Sequence, residues 1–348
     1  MAYGNDASVF VEDNAGDLGG PPVPSSRPFW LSPDVDIPAH TGQAVQGVND
    51  VQIRVHSHEE PILDEKITAE VYVGNPSLVM SPTVGTKRID PGNLLFRPPG
   101  VAGTEPVATD AGGTLTFPWT PSASAAAVDG PGHHCIVVRA FPVSVTPPTS
   151  PFDVPNEQHE AQHNIEILST TTTKSKMFAG GAGTPDDPRH IDEDTGLWWE
   201  RLNTLAGTKR GKRFVVLTFD AEPSPEISDG VRTALKGTRF RGFSQTPPSG
   251  LTLEAVDARG QEIKPADLLK NREFAKAAGL GRGVFNRKKL LGAMSLILGP
   301  RKLSGVIVRF DHSNLQKRQA AVLHAAQWDE QGRPEGGMTI VALAPTDP

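Results

Sequence analysis

The stretch DVPNEQHEAQHNIEILSTTTT, Asp153 to Thr173, has two incompatible readings. It contains His159-Glu160-Ala161-Gln162-His163, the H-E-x-x-H pattern of zinc peptidases. In those enzymes both histidines sit one helical turn apart and face one metal, while the glutamate activates the metal-bound water. The flanks argue against a helix. Pro155 stands four residues before His159, and VPNEQ carries no apolar stripe for a helix to bury. NIEILSTTTT alternates and is β-branched, which suits a strand. Residues four apart in a strand lie ~13 Å apart at ~3.3 Å per residue, too far to share one ion. The expectation is a turn entering a strand, with a catalytic zinc held by His159, Glu160 and His163 as the competing reading.

Further strands are legible on both sides. VNDVQIRVHSH alternates Val51, Ile53 and Val55 with polar residues, and KITAEVYVG does the same with Ile67, Ala69, Val71 and Val73. GGTLTFPW puts Leu115, Phe117 and Trp119 on one side, and HHCIVVRAF is apolar nearly throughout, as a central strand would be. With 35 Gly and 32 Pro in 348 residues, long turn-rich connections join these strands. Antiparallel sheets packed face to face follow.

Four motifs here resemble a bacterial immunoglobulin-like domain of the cell-adhesion-related type over residues ~31–172. VNDVQIRVHSHEE resembles its alternating-valine strand, with His58-Glu59-Glu60 standing where that family has Asn-x-Gly. GTLTFPWTP resembles its x-V-x-F-x-W-x-P strand, GPGHHCIVVRAF its glycine-led strand, and NEQHEAQHNIEI the turn into its last strand. The C-terminal QWDEQGRPEGGMTIVAL resembles the closing strands of such modules more weakly. The resemblance implies adhesion, spacing or assembly rather than chemistry.

The expected organisation is an irregular acidic arm over 1–30, where Phe29 and Trp30 end the arm as an anchor, and an immunoglobulin-like sandwich over 31–172. A linker follows over 173–212, with a short helix in LWWERLNTLAG, and then a second sandwich over 213–348. Its strands are KRFVVLTFDAEP, SGLTLEAVDARG, KLSGVIVRFDHS, AAVLHAAQWDEQG and GGMTIVALAP, with a hairpin turn over Asp329–Gly337. A helical insertion is expected over 265–299. Pro265 suits a first helical turn, and Leu290, Leu291, Met294, Ile297 and Leu298 recur at helical spacing behind Arg282, Arg287, Lys288 and Lys289. Such a helix covers a sandwich face with a solvated basic start. Entry into a partner groove and contact with an anionic membrane are the functional alternatives. On the partner reading, Arg282, Arg287, Lys288, Lys289, Leu291 and Met294 are the contact residues. The basic residues lack interleaved aromatics and no reader motif is present, so nucleic acid is not an expected partner.

Other sites weigh less. His56 and His58 share a strand face, and with His133, His134, His159 and His163 they form the candidate set for a non-catalytic metal. Solvated caps at strand ends explain them equally well. Cys135, the only cysteine, excludes an intramolecular disulfide, and on a central strand it is core rather than a nucleophile. Asp192 and Asp194 lack the later ligands of a helix-flanked calcium loop, and GLGRGV lacks the strand that would lead into a phosphate loop.

Charge divides the chain. Residues 1–200 hold 10 Lys/Arg against 26 Asp/Glu, a balance of −16, whereas residues 201–318 hold 23 against 10, or +13. The halves are expected to attract, within one chain or head to tail between copies. No secretory signal opens the chain and no apolar run approaches ~20 residues, which suits cytoplasmic residence or export by a dedicated machine. Taken together, the residues point to an all-β, non-enzymatic binding protein without a cofactor, with proteins or itself as partner. An accessory subunit of a phage-tail-like or secretion machine and a zinc-dependent peptidase are the alternatives.

Overall fold

The computed structural model describes residues 3, 9–13, 29–37, 48–57, 67–74, 78–89, 94–96, 113–122, 128, 135–142, 144–163, 165–168, 191–192, 197–206, 210–234, 240–268, 270, 290–311, 315–316 and 319–343. Among them the strands form four sheets. Sheet A joins Val9–Phe10, Val35–Asp36 and Gly113–Trp119 to the central Asn49–Ser57. Sheet B orders Thr86–Arg88, Ile67–Gly74, Cys135–Pro142 and Glu160–His163, with Leu94–Phe96 also on Ile67–Gly74.

Sheet C runs Ile165–Leu168, Pro334–Leu343, Gln319–Asp329, Gly211–Asp220, Leu290–Leu298 and Arg259–Ile263, with Gly242–Phe243 beside Gln319–Asp329. Sheet D runs Ile191–Asp192, Leu197–Leu205, Leu303–Asp311 and Ser249–Val256. Pairing is antiparallel apart from two short parallel additions to sheet C, by Ile165–Leu168 and by Gly242–Phe243.

Side-chain alternation turns these sheets into a stack. Val51, Ile53, Val55, Leu115 and Phe117 of sheet A meet Ala69, Val71, Val73, Ile136 and Val138 of sheet B in one core. Val215, Leu217, Leu296, Leu323 and Ile340 of sheet C meet Leu202, Val306, Val308 and Phe310 of sheet D in another. A third core fills the seam between sheets B and C. Tyr72, Cys135 and Val137 come from the far face of B, and Phe214, Val216, Val322, Trp328 and Val341 from the far face of C. Phe29, Trp30, Phe152 and Val154 fill the space between them. Cys135–Pro142 is therefore buried on both faces, which is why its sequence is apolar nearly throughout.

Magnitudes say what joins the halves. A fully buried large apolar side chain contributes roughly 1.5–3 kcal/mol, whereas an exposed ion pair contributes about 0–1 kcal/mol. The apolar seam outweighs the attraction of the oppositely charged halves.

Two helical expectations are corrected. Leu197–Leu205, expected as the linker helix, is a strand paired along its whole length with Leu303–Asp311. Leu290–Leu298, expected within the 265–299 insertion, is a strand between Gly211–Asp220 and Arg259–Ile263. A run of nine mostly apolar residues satisfies both periods, and neighbouring strands on both sides decided the matter. Pro265–Leu268 does form a helical turn.

The helix Pro225–Ala234 was not anticipated. Pro225 opens it, and Ile227 and Val231, four apart, drop into the seam core. Ile165–Leu168 lies within 31–172 by sequence yet pairs with Pro334–Leu343, so sheet C crosses the expected domain boundary. The hairpin turn is tighter than expected. Asp329 Oδ1 accepts from the Gln331 and Arg333 amides, and Gly332 takes φ 76°.

Candidate functional site: the polar seam

The H-E-x-x-H residues are extended. His159 ends a turn, and Glu160–His163 is an edge strand of sheet B paired with Cys135–Pro142. The two rings serve different neighbours. His159 Nδ1 donates to Glu157 Oε1 at 2.7 Å, and its ring stacks on Tyr3 at 4.5 Å. His163 Nδ1 donates to the Ser32 carbonyl at 3.0 Å, and burial pushes its pKa down. Between them, Glu160 has both oxygens engaged. Oε1 accepts from the Tyr3 hydroxyl at 2.6 Å and Oε2 from the Asp153 amide at 2.6 Å. Burial raises its pKa to about 7 against these two bonds.

Strand register aligns Glu160 with other charges. Glu70, Arg139 and Glu160 are direct partners across three adjacent strands, an acid–base–acid row on the seam side of sheet B. Arg139 Nε donates to Glu70 Oε2 at 2.5 Å, Nη1 to the Pro148 carbonyl at 2.8 Å and Nη2 to Tyr72 Oη at 3.0 Å. Its guanidinium also lies 5.4–5.8 Å from the ring centroids of Tyr72, Phe141 and Phe152. Glu70 accepts further bonds from Arg88 Nη1 at 2.8 Å and the Tyr72 hydroxyl at 2.7 Å. Burial, then the bond to Glu70, pushes the Tyr72 phenol up to about 12. Tyr3, Glu70, Tyr72, Arg139, His159 and Glu160 are each at most 6% exposed, so the row is closed to solvent. Glu70, Arg139 and Glu160 are each hydrogen-bonded in this buried row, the arrangement that offsets the cost of taking charge out of water.

A second polar chain crosses the seam. Trp30 Nε1 donates to Thr339 Oγ1 at 3.1 Å, and His324 contacts the same oxygen through Nδ1 at 3.0 Å. His324 Nε2 donates to Asp220 Oδ2 at 3.2 Å. Thr218, His324 and Thr339 are register partners on three strands of sheet C. Nearby, Gln162 Nε2 donates to the Gly337 carbonyl at 3.0 Å. Sequence reading missed this chain, since His324, Thr339 and Asp220 sit on three separate strands. Polar residues on the otherwise apolar strands AAVLHAAQ and GGMTIVAL were the available signal.

His56 is not paired with a second histidine in the described structure. Its Nε2 donates to Asp34 Oδ2 at 2.8 Å while its ring stacks on Phe10 at 5.0 Å. Burial pulls its pKa down, but Asp34 and Glu12 together hold it above the ordinary value. Leu291 is half-buried beside the core between sheets C and D, and Met294 is buried in it. His58, His133, His134, Arg282, Arg287, Lys288 and Lys289 lie outside the described residues. Among the described residues, no group of three or more His, Cys, Asp or Glu side chains is placed to hold a metal ion, and no helix is long and apolar enough to cross a membrane.

No family model and no curated protein matches the chain. Solved structures give weak likenesses. The collagen adhesin CNA from S. aureus is 10% identical, with 86% of this chain and 88% of that chain covered and a TM-score of 0.20. The sialic acid binding region of the Streptococcus sanguinis SK1 adhesin is 8% identical, covering 86% and 74%, with a TM-score of 0.17. A mutant form of the CFA/I enterotoxigenic E. coli adhesin CfaE is 10% identical, covering 100% and 90%, with a TM-score of 0.18. At such TM-scores the likeness carries no argument, and the all-β architecture stands on the strand pairing alone.

Proposed function

We propose that this chain is an immunoglobulin-like, adhesion-type binding protein that acts through protein–protein contacts and associates head to tail, without catalysing a reaction. One observation carries the reading. Across the seam core the buried row Glu70–Arg139–Glu160 and the chain Trp30–Thr339–His324 are hydrogen-bonded, and the apolar side chains of sheets B and C pack into one layer. Outer faces joined through a shared core are supported on ordered sheets, and such pre-organisation lowers the ordering cost of binding a partner. The extended H-E-x-x-H segment supports a structural role for Glu160, because its oxygens hold the chain at Tyr3 and Asp153.

Light scattering of the purified protein at low and at high salt tests the association. Growth in size at low salt that reverses at high salt is expected, because exposed charges are screened beyond ~10 Å at 0.1 M. A monomer at low salt removes self-association from the reading.

A further inference from the structure

We infer that two small surface patches, one on sheet A and one on sheet C, are the two halves of a head-to-tail contact, each made for the other in a second copy of this chain. The inference rests on the self-association just proposed and names its surfaces. Among the described residues the exposed large hydrophobics are Val48, 69% exposed, and Ile297, 37% exposed. Each sits among charges of one dominant sign, and the signs are opposite.

Ile297 is the direct register partner of Lys212 on one side and of Arg259 on the other. The three side chains therefore stand in a row across Gly211–Asp220, Leu290–Leu298 and Arg259–Ile263, cation, apolar, cation. Both cations are exposed. Lys212 leans along this face, its Nζ 5.1 Å from the Phe214 ring centroid. Arg210, Arg301 and Lys302 are exposed at the same end of the sheet, with Asp257 as an opposing charge.

Val48 immediately precedes Asn49–Ser57, and Asp50 and Gln52 follow it at strand alternation on the outer face of sheet A. Asp36 is the register partner of Gln52, and both Asp36 and Asp50 are exposed. Among the described residues the cation on this face is Arg54, 3.9 Å from the Asp34 carboxylate. Val48 thus stands at the end of an acidic patch, with Asp50 two residues along the same face and Asp36 opposite Gln52, and this patch is opposite in sign to the cationic row around Ile297. The patches differ, so one copy cannot use the same patch twice. The contact is heterologous and builds a ring or an open chain of copies, according to whether its rotation closes.

Sedimentation velocity of the full chain at low salt tests this with charge reversals. The Lys212→Glu/Arg259→Glu pair and, separately, the Asp36→Lys/Asp50→Lys pair are each expected to weaken association at least tenfold. Mixing the two reversed proteins is expected to restore it, because each then offers the charge that the other lacks. Cooperative unfolding of each variant, followed by circular dichroism, checks that both remain folded. If the wild type associates and both reversals associate equally well, the patches are not the contact and this inference falls while self-association stands. If the wild type is monomeric at low salt, self-association falls too. If each reversal dissociates but the mixture does not recover, the two patches do not meet each other and the pairing is overturned.

Discussion

Trp30 Nε1 donates to Thr339 Oγ1 across 3.1 Å, joining the end of the N-terminal arm to the penultimate layer of the stack. The indole is 1% exposed and lies edge-on to His324, 6.0 Å between centroids. Removing it empties a large volume in the seam and strands the Thr339–His324 pair. Trp30→Ala is expected to cost about 3–5 kcal/mol in urea unfolding. A loss below about 1 kcal/mol would show that the seam does not depend on this anchor.

Close backbone approach makes a second test. A methyl group at Gly336 would overlap the Leu78 carbonyl oxygen, and one at Gly337 would overlap the Trp30 indole. Both clashes fall between the two sandwiches, and the first is against backbone that cannot rotate away. Gly336→Ala is expected to destabilise by about 1–3 kcal/mol or more. A midpoint equal to wild type would mean that the halves sit farther apart in solution.

Arg139 offers a third. Replacing it by Met keeps most of the packing against Tyr72, Phe141 and Phe152 but leaves the Glu70 carboxylate with one fewer cation in a closed layer. A cost of about 3–5 kcal/mol is expected. Arg139→Lys is expected to recover little, since an ammonium cannot reach Glu70, Pro148 and Tyr72 together. Near-full recovery by Lys would show that charge alone, rather than the forked geometry, is what the site requires.

Stability should depend on pH through Glu160. Its folded pKa of about 7 stands above the ordinary 4.5, so the folded state binds the proton more tightly than the unfolded chain does. The associated stability is present below the unfolded value and is lost as pH rises through the folded one. That window runs from about 4.5 to about 7 and is worth on the order of 3 kcal/mol. His56, raised, acts in the same direction, while His163, lowered, opposes it as pH falls. Glu160→Gln can accept from the Asp153 amide and donate to Tyr3, as the protonated acid does. The variant is expected to match wild type near pH ~5 and exceed it near pH ~8 in urea midpoint. Identical pH profiles would show that Glu160 does not carry the dependence.

The zinc motif is tested by metal content. With His159 held by Glu157 and Tyr3, and His163 by Ser32, the untagged protein is expected to retain far less than one zinc per chain after dialysis. The unfolding midpoint is expected to be unmoved by added zinc. A stoichiometric ion lost in a His159→Ala/His163→Ala variant would replace the binding reading with metal chemistry.

Alternation in Asn49–Ser57, Ile67–Gly74 and Gly113–Trp119 was legible because one face of each meets a core and the other meets water or a polar layer. The β character of the H-E-x-x-H segment was legible for the same local reason, through Pro155 before it and NIEIL after it. Leu197–Leu205 and Leu290–Leu298 were not, because a short apolar run carries both periods at once and only the adjoining strands supply its missing hydrogen bonds. The polar row Glu70–Arg139–Glu160 was equally invisible, since register between strands 69 and 21 residues apart places those charges side by side. By itself, then, the chain's local pattern determined that it is β-rich and where most strands run. Which faces those strands share, and that two sandwiches meet through a third core, was decided by tertiary packing, because burial depends on which surfaces meet and not on the order of residues along one strand.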